Sequence, residues 1–139
     1  MQTSTIRRIL MTLLLSLAAP LSAWSATPAE VAAQVREQWA KVRTTYLASV
    51  KPYAADPLVP QYTVALDNAG KSLEKFLTLK SSSPPAAAAT LTPVVDQLAK
   101  DLATLRLLQG KASGNLATAL GAALAQHSQV TQTALKNMR

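Results

Sequence analysis

The 139-residue sequence contains one histidine, His127, and no cysteine. An imidazole that titrates near neutral pH can act as a general base, a metal ligand or an axial ligand to a haem iron. Each of these roles needs a partner. Of the three methionines, Met1 and Met11 lie in an N-terminal segment expected to be removed, which leaves Met138. His127 and Met138 fall on the same expected helix, roughly 16 Å apart at 1.5 Å per residue, so they cannot bind one iron together. A core histidine satisfied by a hydroxyl or a carbonyl is therefore the plainer reading of His127, and a cofactor role remains its weaker alternative.

The carboxylates assemble no site by their spacing. They are Glu30, Glu37, Glu74, Asp56, Asp67, Asp96 and Asp101. A di-metal carboxylate bundle requires inward glutamates and a Glu-x-x-His pair, and no glutamate stands three residues before His127. Glu37 with Lys41, Asp67 with Lys71, and Asp96 with Lys100 follow the i,i+4 rule for pairs on the outer face of a helix. Serines and threonines are numerous, but a hydrolase triad would have to use His127 with an acidic orienter, and no nucleophile-elbow glycine pattern is present. Four glycines leave no phosphate-cradling loop. The absence of cysteine excludes disulfides, thiolate metal sites, covalent c-type haem, a thiol nucleophile and a cysteine-linked lipid anchor. The expectation is a protein that is not an enzyme and that holds no cofactor or metal.

Charge narrows the partners less sharply. The formal net charge is +7, from 14 Lys and Arg against 7 Asp and Glu. Loss of Arg7 and Arg8 with an N-terminal segment would leave 12 against 7, or +5. Nucleic-acid binding calls for clustered cations interleaved with aromatics. The densest groups, Arg36, Lys41 and Arg43, then Lys71, Lys75 and Lys80, fall toward the C-terminal halves of their helices, where cations suit the helix dipole. No nucleic-acid partner is expected, and an anionic envelope surface is the remaining electrostatic option.

The elements that must position these residues are helices. Apolar residues recur in steps of three and four over four segments, 28–50, 58–80, 84–109 and 115–137. The first stripe is Val31, Val35, Trp39, Val42, Tyr46 and Val50, started by a Thr27-Pro28-Ala29-Glu30 capping box. The second is Val59, Tyr62, Leu66, Ala69, Leu73, Phe76 and Lys80, with an interior Gly70. In the third, Val95, Leu98, Leu102 and Leu105 form the seam, which extends back through Leu91 and Ala88. That continuity favours one helix from Pro84, kinked at Pro93, over an alanine-rich linker across 86–92. The fourth stripe is Leu116, Leu120, Ala123, His127, Val130, Ala134 and Met138, and Ala117, Gly121 and Ala125 form a ridge of small residues for close helix approach. Gly110 is placed to be the left-handed residue that ends the third helix.

The first 25 residues read as a secretory signal peptide: Arg7 and Arg8, an apolar run over 9–21, then small residues. Ala23 and Ser25 suit cleavage before Ala26, and Leu21 with Ala23 suits cleavage before Trp24. An uncleaved anchor is the rival, but the run is short for roughly 30 Å of hydrocarbon. Residues 26–139 are then one all-α domain, an up-down-up-down four-helix bundle joined by short turns.

In architecture such a bundle resembles the exported four-helix cytochromes. That resemblance implies a cofactor or small-ligand carrier built on His127, although the methionine opposite it is missing. The stronger expectation is an exported, periplasmic or secreted protein that acts by binding, as an accessory, adaptor or chaperone-like protein of the envelope. Its partner would be another envelope protein, and the chain itself a monomer or homodimer.

Overall fold

A capped proline starts the first helix. Thr27, in extended conformation at φ −69° and ψ 154°, accepts the Glu30 amide on its hydroxyl at 3.2 Å, and Pro28 supplies the first helical φ. In a computed structural model the protein is described over residues 26–138, and four helices occupy most of them: α1 Pro28–Val50, α2 Leu58–Ser81, α3 Ala88–Gly110 and α4 Gly114–Asn137. A short 3₁₀ turn, Lys51–Tyr53, extends α1, and the described residues contain no strand. The expected signal peptide over 1–25 and its cleavage site lie outside the described residues. No described helix is long and apolar enough to cross a membrane.

Local chemistry explains most of the remaining boundaries. The Asp56 carboxylate accepts the Leu58 amide at 2.9 Å and opens α2, where Pro60 falls in the first turn and so displaces no helical donor. The third helix starts at Ala88, not at Pro84. Pro85 disfavours helical geometry at Pro84, Ala87 is extended at ψ 155°, and the Ala86 amide bonds back to the Leu79 carbonyl at 3.1 Å. The helix does run through Pro93; Ala89, whose carbonyl loses its donor there, is exposed. Gly110 is the last residue of α3, and the left-handed glycine of the following turn is Gly114, at φ +60°.

Sequence neighbours run antiparallel. Arg36 and Arg43 of α1 face Glu74 and Asp67 of α2 in reverse order, and Gln109 at the end of α3 reaches Ala117 at the start of α4. Packing is closest between α2 and α3 and between α1 and α4; the α1–α2 and α3–α4 seams are looser. The buried side chains form two clusters. One gathers Val35, Leu73, Phe76, Leu77, Leu98, Val130 and Ala134. The other gathers Tyr46, Tyr62, Leu66, Leu105, Leu116 and Leu120, with the two tyrosine rings stacked at 5.4 Å. Trp39 is packed against both clusters and marks the waist between them.

Apart from half-buried Val31, Trp39 and Lys80, three of the four stripes are buried as the spacing requires, but the third is turned. The core face of α3 is Leu91, Val94, Leu98, Leu105 and Leu108, while Val95 and Leu102 are only half-buried. Steps of three and four along this face pass through Asp101, so a carboxylate sits mid-seam where the sequence pattern places leucine. The small-residue ridge of α4 does not hold a helix backbone: a Cβ on Gly121 would meet the Gln109 side-chain amide at 3.4 Å, and Ala125 is exposed.

Candidate functional site

All four helices contribute to the waist. His127 of α4 is 1% exposed, buried on the stripe where its spacing places it. Trp39 of α1 donates its indole N–H to His127 Nδ1 at 3.2 Å. That donor fixes the neutral tautomer: the ring proton sits on Nε2, which faces the Thr131 hydroxyl at 3.4 Å. Both ring nitrogens are therefore engaged by side chains, and an axial or metal ligand role would require giving up one of these contacts. Burial holds the imidazole below the ordinary histidine range, and the charge of Asp101 works against that shift.

Asp101 enters from α3. Its Oδ2 accepts the Ser72 hydroxyl of α2 at 2.5 Å, and its Oδ1 accepts the Gln97 amide one turn away at 2.9 Å. This carboxylate also lines a groove between α2 and α3 with Pro60, Gln61, Val64 and Thr104. Ser72 bonds to the aspartate, and His127 to Trp39 and Thr131, so serine, histidine and aspartate form no nucleophile–base–orienter chain. Among the described residues no group of three or more His, Asp or Glu is placed to hold a metal ion, and no buried side-chain polar atom lacks a partner.

The waist opens outward between α1 and α2, where a cleft of about 540 Å³ is lined by Arg36, Trp39, Arg43, Lys71, Leu73 and Leu77, with Asp67, Gly70 and Glu74. Gly70 makes room for its floor. A Cβ there would overlap the Trp39 ring carbons Cζ2, Cη2 and Cε2, so only glycine lets the indole lie against the α2 backbone. Two ion pairs bracket the cleft, Arg36 with Glu74 at 2.8 Å and Arg43 with Asp67 at 2.9 Å. Hydrogen bonding to the carboxylates holds both guanidiniums still more firmly charged. The i,i+4 partner expected for Asp67 was Lys71; the aspartate takes Arg43 across the seam instead, and among the described residues Lys71 forms no ion pair. Glu37 and Lys41 do meet, at 3.6 Å on the outer face of α1.

At the tyrosine end, the Tyr62 hydroxyl donates to the Leu120 carbonyl at 2.9 Å, and Tyr46 reaches both Thr63 and the Val59 carbonyl. Burial pushes both phenols above their usual range, so they stay protonated and neutral at physiological pH.

The spacing identifies His127 and Trp39 as core positions but does not pair them, because eighty-eight residues separate them. The role of Asp101 goes undetected by pattern. Its signal is indirect: a carboxylate at the one position where the Leu98-to-Leu105 step needs an intermediate inward residue. The ion-paired cleft could have been sought in Arg36, Arg43, Asp67 and Glu74, which have matching seven-residue spacings on consecutive helices. No known family model matches this chain, and no curated protein or solved structure is significantly similar to it.

Proposed function

We propose that the protein is an exported envelope accessory protein, an up-down-up-down four-helix bundle behind a cleaved signal peptide, that acts by binding through the α1–α2 cleft. The observation that carries this reading is the composition of the cleft. An indole and two leucines form an apolar floor, Arg36 and Arg43 are already neutralised by their partners, and Lys71 is left as the cation without an ion pair. A concave apolar site of this size with a few oriented charges is the usual form of a recognition site. The partner that fits is a protein segment presenting apolar side chains and one carboxylate toward Lys71. A small-ligand carrier is the second reading; the size of the cleft suits it, whereas the engaged ring of His127 does not favour haem.

Native mass spectrometry of the protein recovered from the exported compartment tests both readings. A chain starting at Ala26 or Trp24, bare or with a second protein whose binding is lost in Lys71→Glu, supports the proposal. A retained small molecule transfers it to the carrier reading. A full-length chain confined to the cytoplasm sinks the export on which both depend.

A further inference from the structure

Trp39 does two jobs at once. Its benzo edge lies against Gly70 in the floor of the cleft, and its N–H is spent on His127 Nδ1. The acceptor is the only ring nitrogen of His127 without a proton, because Nε2 carries the hydrogen that faces Thr131. We infer that this contact is a proton switch on the α1–α2 cleft: a proton taken up at His127 Nδ1 sets two N–H donors against each other, breaks the bond to the indole and releases Trp39 from its seat over Gly70.

The surroundings of His127 bear on its charge. From α1 it meets the indole, and from its own helix the Thr131 hydroxyl. From α3 the carboxylate of Asp101 favours its charged form. The charged residues of α2 and α1 in this region, Asp67, Lys71, Glu74, Arg36 and Arg43, line the cleft with Trp39. An imidazolium carries a hydrogen on both ring nitrogens, so the indole then has no acceptor at its N–H. Movement of Trp39 changes the floor of the cleft. Neutral solution keeps the floor closed, and acid opens it. The regulatory meaning of the switch rests on the binding role proposed for the cleft; the switch itself does not.

Two-dimensional ¹H–¹⁵N NMR of the full chain without any ligand provides the test, with the indole signal of Trp39 assigned by its loss in Trp39→Phe. The indole resonance should shift with the same midpoint as the His127 ring, below the ordinary histidine range. In His127→Gln, where a carbonyl accepts the indole N–H and nothing titrates, the shift should vanish, and His127→Asn serves if the glutamine variant does not fold. An indole signal that ignores His127 titration, a shift that persists in either variant, or unfolding before His127 takes its proton would each overturn the switch. A working switch together with a cleft that binds no partner would instead leave the switch intact and remove the binding role.

Discussion

The seam between α2 and α3 and the seam between α1 and α2 are built from the same kind of amphipathic helix but close differently. The first packs closely, with the buried faces of both helices in contact. The second packs less closely and, although both seams carry a groove, it alone is bracketed by ion pairs among the described residues. Apolar burial contributes roughly 25 cal/mol per Å² and is not screened by salt. Half-exposed ion pairs contribute little and weaken as salt rises. This contrast predicts that stability is concentrated in two helix pairs, α1 with α4 and α2 with α3, and that the junction between them is the weaker part.

The contrast can be tested from its strong side to its weak one. Leu105→Ala, in a fully buried position of α3, should cost about 2–5 kcal/mol by urea denaturation; a cost under ~1 kcal/mol would mean that the closely packed pairs are not where the stability resides. Gly70→Ala forces a methyl into the Trp39 ring and should cost about 1–3 kcal/mol. Adding Trp39→Leu to that variant should recover part of the loss, and strict additivity would show that the two sites do not touch.

Acid should act at the waist. His127 binds its proton more weakly in the folded chain than in the unfolded one, so its contribution is fully present above the unfolded value of about 6.5 and is lost as the pH falls below it. Urea midpoints measured across that range should decline for the native chain and stay flatter for His127→Gln. Equal slopes would remove His127 as the cause. The smallest effect belongs to the ion pairs. Arg36→Ala should shift stability by less than about 1 kcal/mol, and less still at high salt. A loss as large as that of Leu105→Ala would erase the distinction between the two seams.

The legibility of the chain follows the same division. Period alone recovers the buried faces of α1, α2 and α4, because Val35, Tyr46, Leu66, Leu73, Leu120 and Val130 each recur at helical spacing among polar residues. It fails on α3 because Leu102, Leu105, Leu107 and Leu108 offer apolar side chains all round the helix, so two registers fit equally well. Packing decides between them: Leu107 is left 65% exposed, and Asp101 is brought inward where Ser72 and Gln97 can satisfy it. The start of α3 is obscured for a related reason, since alanines before Pro93 are good helix formers, while the restriction that Pro85 places on Pro84 acts through only one residue. The cleft was illegible because it depends on what Gly70 lacks, and the size of a gap beside an indole 31 positions earlier in the chain has no counterpart in composition or period.

The preference of α1 for α4 also has a consequence in time. The α2–α3 hairpin closes through a short connection, whereas α1 and α4 meet only after a loop of roughly sixty residues is closed, at an entropic cost that grows with the logarithm of its length. The hairpin is thus expected to act as the template, and the outer two helices to dock on it late along the folding route. Folding φ-values should be high at Leu73 and Leu98 and low at Val35 and Val130; the reverse pattern would refute this order. A chain assembled this way reaches its waist last. The contact between Trp39 and His127 then registers the completed ring, and it forms only when the first helix has found the last.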